Sequence, residues 1–251
     1  MMKDNLIGKV ILITGGSGGL GSYLAVELAK YGALLAIGYN KGKSNAQKII
    51  SSINSKHESS IIVHVDITNK MSVHEMTEHV INKFGKIDIL INCAGISKNS
   101  MSWKTTCEDW ISTIETNLSG SFFCIQTVLP YMKKNNWGRI INMSSIVGQL
   151  GIIGTSAYSA SKAGPNGLSR TIAIETAKYG ITVNSIALGY FETGMISNVP
   201  INQIDEIIMT IPMKRLGKLS ELLHTVIFLC ANEAEYITGQ TINLNGGLYL
   251  S

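Results

Sequence analysis

Short runs of branched apolar residues alternate along this chain with longer stretches of helical period. The apolar runs are Val10–Thr14, Ala33–Gly38, Ile61–Asp66, Ile87–Asn92, Arg139–Ser144, Thr182–Ala187 and Thr241–Leu244. Helix-period stretches lie near 19–31, 43–54, 70–84, 108–134, 157–179 and 220–230. A strand buried on both faces has no polar side to show, so it reads as a continuous run, whereas a surface helix carries one apolar stripe. Parallel neighbours need crossovers of a dozen residues or more, and helices of these lengths supply them. The pattern predicts an α/β fold: a doubly wound sheet of about seven parallel strands flanked by helices, one domain over residues 1–251. Residues 189–217 break the rhythm, being long and mixed in pattern, and are expected to form a mobile lid over the site. Pro165 lacks an N–H and predicts a bend in the 157–179 helix.

Composition narrows the function classes. At 251 residues the chain can bury one substantial core. Its net charge of +4 comes from scattered lysines, with no basic patch interleaved with aromatics, so no nucleic acid partner is expected. No apolar run approaches the ~18 residues a membrane span needs, and the N-terminus does not read as a signal peptide, so no membrane association is expected. Cys93, Cys107, Cys124 and Cys230 show neither metal-ligand spacing nor a disulfide framework; they read as reduced thiols of a cytoplasmic protein. His57, His64, His74, His79 and His224 show no ligand spacing either, and no metal is expected.

Two stretches carry candidate chemistry. Thr14-Gly15-Gly16-Ser17-Gly18-Gly19-Leu20-Gly21 follows the first strand and opens the first helix. Glycines let the backbone approach a diphosphate closely, and the helix N-terminus offers free N–H groups and positive potential. Turns are glycine-rich for other reasons too, but the strand–turn–helix context makes this cluster informative, and dinucleotide binding is expected. The second stretch is Tyr158-Ser159-Ala160-Ser161-Lys162. Four residues apart on a helix, the phenol and the ammonium share a face. A free tyrosine titrates near ~10, and a cation beside it lowers that value towards what a general acid or base needs. Ser145 ends the strand upstream, where its hydroxyl can face the start of the next helix. One substrate oxygen would then receive hydrogen bonds from both hydroxyls, as a carbonyl/alcohol redox site requires. Tyr and Lys at this spacing are common on helices, so the pair takes its weight from the glycine turn.

With Asn92-Cys93-Ala94-Gly95, Asn117, Ser145 and Tyr158-x-x-x-Lys162, the Gly-x-x-x-Gly-x-Gly spacing of Gly15, Gly19 and Gly21 resembles the short-chain dehydrogenase/reductase family, with its Rossmann fold. The resemblance runs through Thr238-Gly239-Gln240 and Asn245-Gly246-Gly247, essentially the whole chain. Gly138-Arg139-Ile140-Ile141-Asn142 and Gly180-Ile181-Thr182-Val183-Asn184 look most like bacterial 3-oxoacyl-acyl-carrier-protein reductases and acetoacetyl-CoA reductases. The resemblance implies that Tyr158 donates the proton to a carbonyl oxygen, Lys162 holds the nicotinamide ribose and lowers the tyrosine pKa, and Ser145 polarises the carbonyl. Ser144 beside it reads as structural. Asn117 is implied to position a water linking Lys162 to solvent. Gly15, Ser17, Gly19, Leu20 and Gly21 are implied to meet the cofactor phosphates, and Tyr39, Asn40 and Lys41 its adenosine end. Ile67, Asn92, Ala94 and Gly95 would line its adenine ribose and middle, and Gly189, Phe191 and Thr193 its nicotinamide side. Asp66 is implied to touch the adenine amino group; capping the following helix is its other reading.

Cofactor choice rests on Gly38-Tyr39-Asn40-Lys41, where NAD-specific members usually carry an Asp. No carboxylate repels a 2′-phosphate there, and Lys41, Lys43 and Ser44 can receive one or simply form a solvated loop. Gly18, where many NADP-using relatives carry Arg, points the other way, and NADP(H) is favoured over NAD(H). Leu188 replaces a usual proline, and Gly194 stands where acyl reductases often have Asp. Ile152 and Ile153 are expected to wall the substrate pocket, with Tyr190 and Met195 closing it from the lid. Trp103, Trp110 and Trp137 read as packing residues, Trp103 alternatively as a border of the entrance. Lys133, Lys134 and Lys178 are approximate stand-ins for the arginines that meet acyl carrier protein, or a solvated face. The resemblance implies a homotetramer paired through the helices near 108–134 and 157–179. The expected activity is reduction of a 3-oxoacyl thioester, carried by acyl carrier protein or CoA. The same residues would serve a sugar, polyol or other alcohol dehydrogenase; a cofactor-binding regulatory protein without turnover is a reading of another class.

Overall fold

Seven strands pair in the order β3-β2-β1-β4-β5-β6-β7, every neighbour parallel. They are β1 (Val10–Thr14), β2 (Leu34–Tyr39), β3 (Ile61–His64), β4 (Ile89–Asn92), β5 (Gly138–Ser145), β6 (Ile181–Leu188) and β7 (Thr241–Leu244). The computed structural model describes residues 6–54, 60–193, 196 and 201–250, without the side chains of 201–203. The predicted doubly wound sheet is present, and the strand ends differ by a residue or two for local reasons. β3 stops at His64 because the chain turns at Asp66, whose Oδ1 accepts from Thr68 N–H at 3.0 Å and Thr68 Oγ1 at 2.7 Å. β4 begins at Ile89 because Asp88 enters with its side chain as well, accepting from Val10 N–H at 2.8 Å.

Eight α-helices are described: α1 (Gly19–Ala29), α2 (Lys43–Asn54), α3 (Lys70–Phe84), α4 (Cys107–Ile114), α5 (Gly120–Lys134), α6 (Ser156–Thr176), α7 (Ile201–Thr210) and α8 (Leu219–Cys230). Alternation along the strands sends side chains to two cores. Ile11 and Ile13 join Leu24, Leu28, Ile49, Val226 and Ile227 on the α1, α2 and α8 side. Val10 and Leu12 join Val73, Met76, Val128, Met132 and Ile172 on the α3, α5 and α6 side. Both faces are covered, which is why the strands read as unbroken apolar runs.

Three local readings are corrected. The stretch near 108–134 is two helices joined by a π turn over Glu115–Ser119, in which Gly120 N–H reaches back to the Glu115 carbonyl. Gly120 packs so tightly on Ile67 that a Cβ there would stand 2.8 Å from its side chain. Residues 189–217 contain α7, a helix the mixed pattern concealed. The cap of α3 is Asn69, which accepts from Met71 and Ser72 N–H, and not Asp66. α6 runs through Pro165 to Thr176 as one helix, and Ser185 Oγ lies 3.4 Å from the Pro165 carbonyl.

One polar chain crosses the interior. Asn92 Nδ2 donates to Asn142 Oδ1 at 2.8 Å, Asn142 Nδ2 to Ser169 Oγ at 2.9 Å, and Ser169 Oγ meets Ser185 Oγ at 2.9 Å. These buried groups tie β4, β5, α6 and β6 to one another in a fixed register. Asn142→Leu keeps the volume and strands the partners on both sides, so urea unfolding is expected to show a loss of about 1–3 kcal/mol. An unchanged midpoint would mean that the chain of amides and hydroxyls adds nothing to stability.

Candidate active site

A cavity of about 920 Å3 runs along the carboxyl edge of the strands, where open parallel sheets leave a crevice between oppositely directed crossovers. One wall is the turn after β1, contributing Gly15, Ser17, Gly19, Leu20 and Gly21. The ends of β2 and β3 add Tyr39, Asn40, Lys41, Asp66 and Ile67, and the end of β4 adds Ala94 and Gly95. Ser145, Ile152, Tyr158 and Lys162 line the opposite part, with Gly189, Tyr190, Phe191 and Thr193 beyond β6.

The glycine turn is held by close backbone packing. Gly15 has φ +63°, and a Cβ on it would lie 2.7 Å from Ala94 Cα. On Gly21 a Cβ would lie 2.5 Å from the Gly15 carbonyl. Gly18 caps α1 with no side-chain hydrogen bond. The first-turn N–H groups of α1 therefore lack a side-chain cap beside the cavity, a setting suited to an anion. Gly42 leaves room for Ser17, whose Oγ would be 2.6 Å from a Cβ there.

At the other end, Lys162 Nζ is buried and donates to the Met143 carbonyl at 2.7 Å, and it lies 5.9 Å from the centre of the Tyr158 ring. Burial lowers the ammonium from its ordinary 10.5 to about 8, the neighbouring Cys93 acting in the opposite direction. Burial pushes the Tyr158 phenol up to about 12, against a hydrogen bond with Ser145 that lowers it. Burial thus outweighs the expected lowering of the phenol, and the Met143 carbonyl holds one of the three N–H groups of the ammonium. Cys93, also on the wall, is pushed up to about 11 by burial and stays a thiol at neutral pH. Ser144 Oγ donates to the Lys162 carbonyl at 2.7 Å, a structural bond, while Ser145 Oγ sits 3.5 Å from the Leu188 carbonyl.

Several anticipated residues stand elsewhere. Asn92 is buried in the amide chain above and does not line the cavity, because its amide is committed to Asn142. Asn117 is buried behind the wall; its side chain pairs with Ile96 in both directions, which leaves its amide group engaged with protein atoms. Ile153 is 84% exposed on the outside of the loop whose other isoleucine, Ile152, faces in. Trp103 and Trp110 are exposed instead of packed, while Trp137 stacks under Lys9 and Arg139. Gly194, Met195 and His57 lie outside the described residues. Lys133 and Lys134 end α5, and Lys178 follows α6, so all three precede strand starts. They are at the opposite edge of the sheet from the mouth of this chain's own cavity. Thr155, Ser97 and Asn99 line the cavity unforeseen, since irregular loops carry no periodic signal.

Lysine in the unfolded chain keeps its ordinary pKa, so between about pH 8 and 10.5 the unfolded state binds more protons at Lys162 than the folded state. The cost of burying the charged lysine is therefore present in full below about pH 8, and stability rises with pH across the window as that cost is relieved. Tyr158, raised from 10 to about 12, acts with the opposite slope only above pH 10. Urea midpoints at pH 7, 8, 9 and 10 are expected to show wild type gaining on Lys162→Met from pH 8 upwards; parallel curves would contradict the buried, depressed ammonium.

Among the described residues no helix is long and apolar enough to cross a membrane, and no group of three His, Cys, Asp or Glu could hold a metal ion. A family model described as short chain dehydrogenase matches residues 9–203. The chain is 39% identical over 242 residues to the 3-oxoacyl-[acyl-carrier-protein] reductase FabG of Staphylococcus epidermidis, covering 96% of this chain and 99% of that protein. It is 37% identical over 244 residues to the same-named reductase of Haemophilus influenzae, covering 97% and 99%. The counterpart of Buchnera aphidicola is 38% identical over 243 residues, covering 96% and 98%. The sheet order, the glycine turn and a match over most of its length agree, and the chain belongs to the short chain dehydrogenase family of nicotinamide-dependent oxidoreductases.

Proposed function

We propose that this chain reduces the keto group of a 3-oxoacyl thioester to the 3-hydroxyacyl thioester, using NADPH in preference to NADH. The observation that carries the reading is one cavity whose wall joins the uncapped α1 turn to Ser145, Tyr158 and Lys162. The relatives named as 3-oxoacyl-[acyl-carrier-protein] reductases, similar over their whole lengths, support the substrate class. The wall fits a dinucleotide: Gly15, Gly19, Leu20 and Gly21 would hold the diphosphate, and Asp66, Ile67, Ala94 and Gly95 the adenosine portion. When bound, the nicotinamide supplies the hydride.

The chain's own residues supply placement and the proton. Tyr158, raised by burial, keeps its proton at neutral pH and holds it at Oη until an alkoxide needs it. Ser145 Oγ orients the same oxygen. Lys162, with its pKa near neutrality, stabilises the phenolate left behind and takes part in returning the proton. Residues 189–217 act as the lid, through Tyr190, Phe191 and Thr193 on the wall. For the 2′-phosphate, Asn40 and Lys41 line the cavity beside Ser17 and no carboxylate occupies the end of β2. Trp110, Ile111, Phe122 and Ile174 are exposed on α4, α5 and α6, which supports a homotetramer paired through these helices; a cytoplasmic location is part of the same proposal.

Tyr158→Phe is expected to bind NADPH as wild type does and to lose about 10²–10⁴-fold in turnover. The assay is NADPH oxidation with acetoacetyl-CoA, longer 3-oxoacyl thioesters on CoA and on acyl carrier protein, and simple ketones. Wild type that binds the nucleotide and consumes it with none of these would overturn the reading. In the same assay Lys41→Glu is expected to raise KM for NADPH about tenfold or more and leave KM for NADH nearly unchanged; equal effects on both nucleotides would contradict the NADPH preference.

A further inference from the structure

Ser161 stands between Tyr158 and Lys162 on the same turn of α6 and is fully buried, yet neither the motif spacing nor the reaction above gives it a task. Its Oγ accepts a hydrogen bond from Asn117 Nδ2 at 2.9 Å and donates one to the Tyr158 carbonyl at 2.8 Å. Asn117 in turn grips the main chain of Ile96: its Oδ1 accepts from Ile96 N–H and its Nδ2 donates to the Ile96 carbonyl, both at 2.8 Å. Every polar atom of this buried amide is engaged, and the hydroxyl of Ser161 is the acceptor that fixes its second N–H.

Three separate parts of the chain meet through this hydroxyl. Ile96 is on the cavity wall just after Gly95, Asn117 sits in the π turn, and the Ser161 turn carries both Tyr158 and Lys162. Gly95 marks how tight the junction is: a Cβ there would lie 3.2 Å from Asn117 Oδ1 and 3.4 Å from Lys162 Nζ. A shift of the Asn117 amide would be felt at the Ile96 wall and, through Ser161, at the Tyr158 main chain together.

We propose that Ser161 is a positioning residue for the reduction, holding the Asn117 amide so that the Ile96 wall and the Tyr158–Lys162 turn keep one fixed relation. It acts through Asn117 and the Tyr158 main chain and does not touch the reacting atoms. Removing the hydroxyl strands one N–H of a buried amide, and the amide then turns or drags the wall. Misplacement of this kind lowers the rate of the chemical step more than it weakens binding.

The inference rests on the reductase reading, and the test separates the two. Steady-state NADPH oxidation with a thioester that wild type consumes is compared for wild type, Ser161→Ala, Asn117→Ala and the double variant, with Ser161→Cys as a variant of similar size and weaker acceptor. Expected for Ser161→Ala is a fall in kcat of about 10- to 100-fold with both KM values within about twofold. Ser161→Cys should fall in between. In the Asn117→Ala background the further change Ser161→Ala should alter kcat by less than about twofold, since the two act as one unit. If Ser161→Ala does not fold, as judged by circular dichroism, the same cycle run with Ser161→Cys decides. Wild-type turnover in Ser161→Ala, a loss confined to KM, or full additivity with Asn117→Ala overturns the role of Ser161 and leaves the reductase reading standing. Wild type that turns over no carbonyl removes both.

Discussion

The bond from the Lys162 ammonium to the Met143 carbonyl, 2.7 Å long and largely shielded from water, is the constraint around which the site is arranged. A lysine end group is costly to bury, and it stays there only where its protons find acceptors. This one is anchored on β5 while its main chain belongs to α6, and the Lys162 carbonyl is held from the other side by Ser144 at 2.7 Å. Gly148 permits the contact, for a Cβ on it would stand 2.7 Å from the Lys162 carbonyl oxygen. Strand end, turn and helix are consequently locked together at the one place where Ser145 and Tyr158 must face each other.

Everything else that the cavity needs follows from parallel pairing. When all strands point the same way, their carboxyl ends lie on one edge, and residues from distant parts of the sequence are delivered to it. Thr14, Asn92 and Asn142 share a level through β1, β4 and β5, and beyond that level lie the glycine turn, Ala94–Gly95 and Ser145. The same geometry sends the ends of α5 and α6 to the opposite edge, which is why their lysines are remote from this chain's own cavity. Buried amides and hydroxyls then prevent the strands from sliding, since a shifted register would strand several polar groups at once.

Burial also decides the acid–base character of the site. The low-dielectric surroundings disfavour charge on either group, so the phenol is raised and the ammonium lowered, to about 12 and about 8. The tyrosine thereby holds its proton, and the lysine sits where it can both carry and release one near neutral pH. A proton donor and a nearby exchangeable cation arise from one physical cause acting on opposite charge types.

Periodicity and residue type alone determined the sheet, its two-sided burial, most helices of its crossovers, the glycine turn and the placing of Tyr158 and Lys162 on one helix face, because each depends on local pattern or short spacing. The irregular parts were not legible in this way. α7 has a mixed pattern, the split at Glu115–Ser119 depends on Gly120 meeting Ile67, and Ile152 and Ile153 are neighbours that a loop turns in opposite directions. Asn92 and Asn117 stood beside the right motifs, yet their amides were claimed by Asn142, Ile96 and Ser161 from segments far along the chain. Desolvation likewise belongs to no residue type: only the packed surroundings of Tyr158 decided that burial, and not the neighbouring lysine, sets its proton affinity. Local spacing determines which groups can share a face, and long-range packing determines which partner each buried polar group finds.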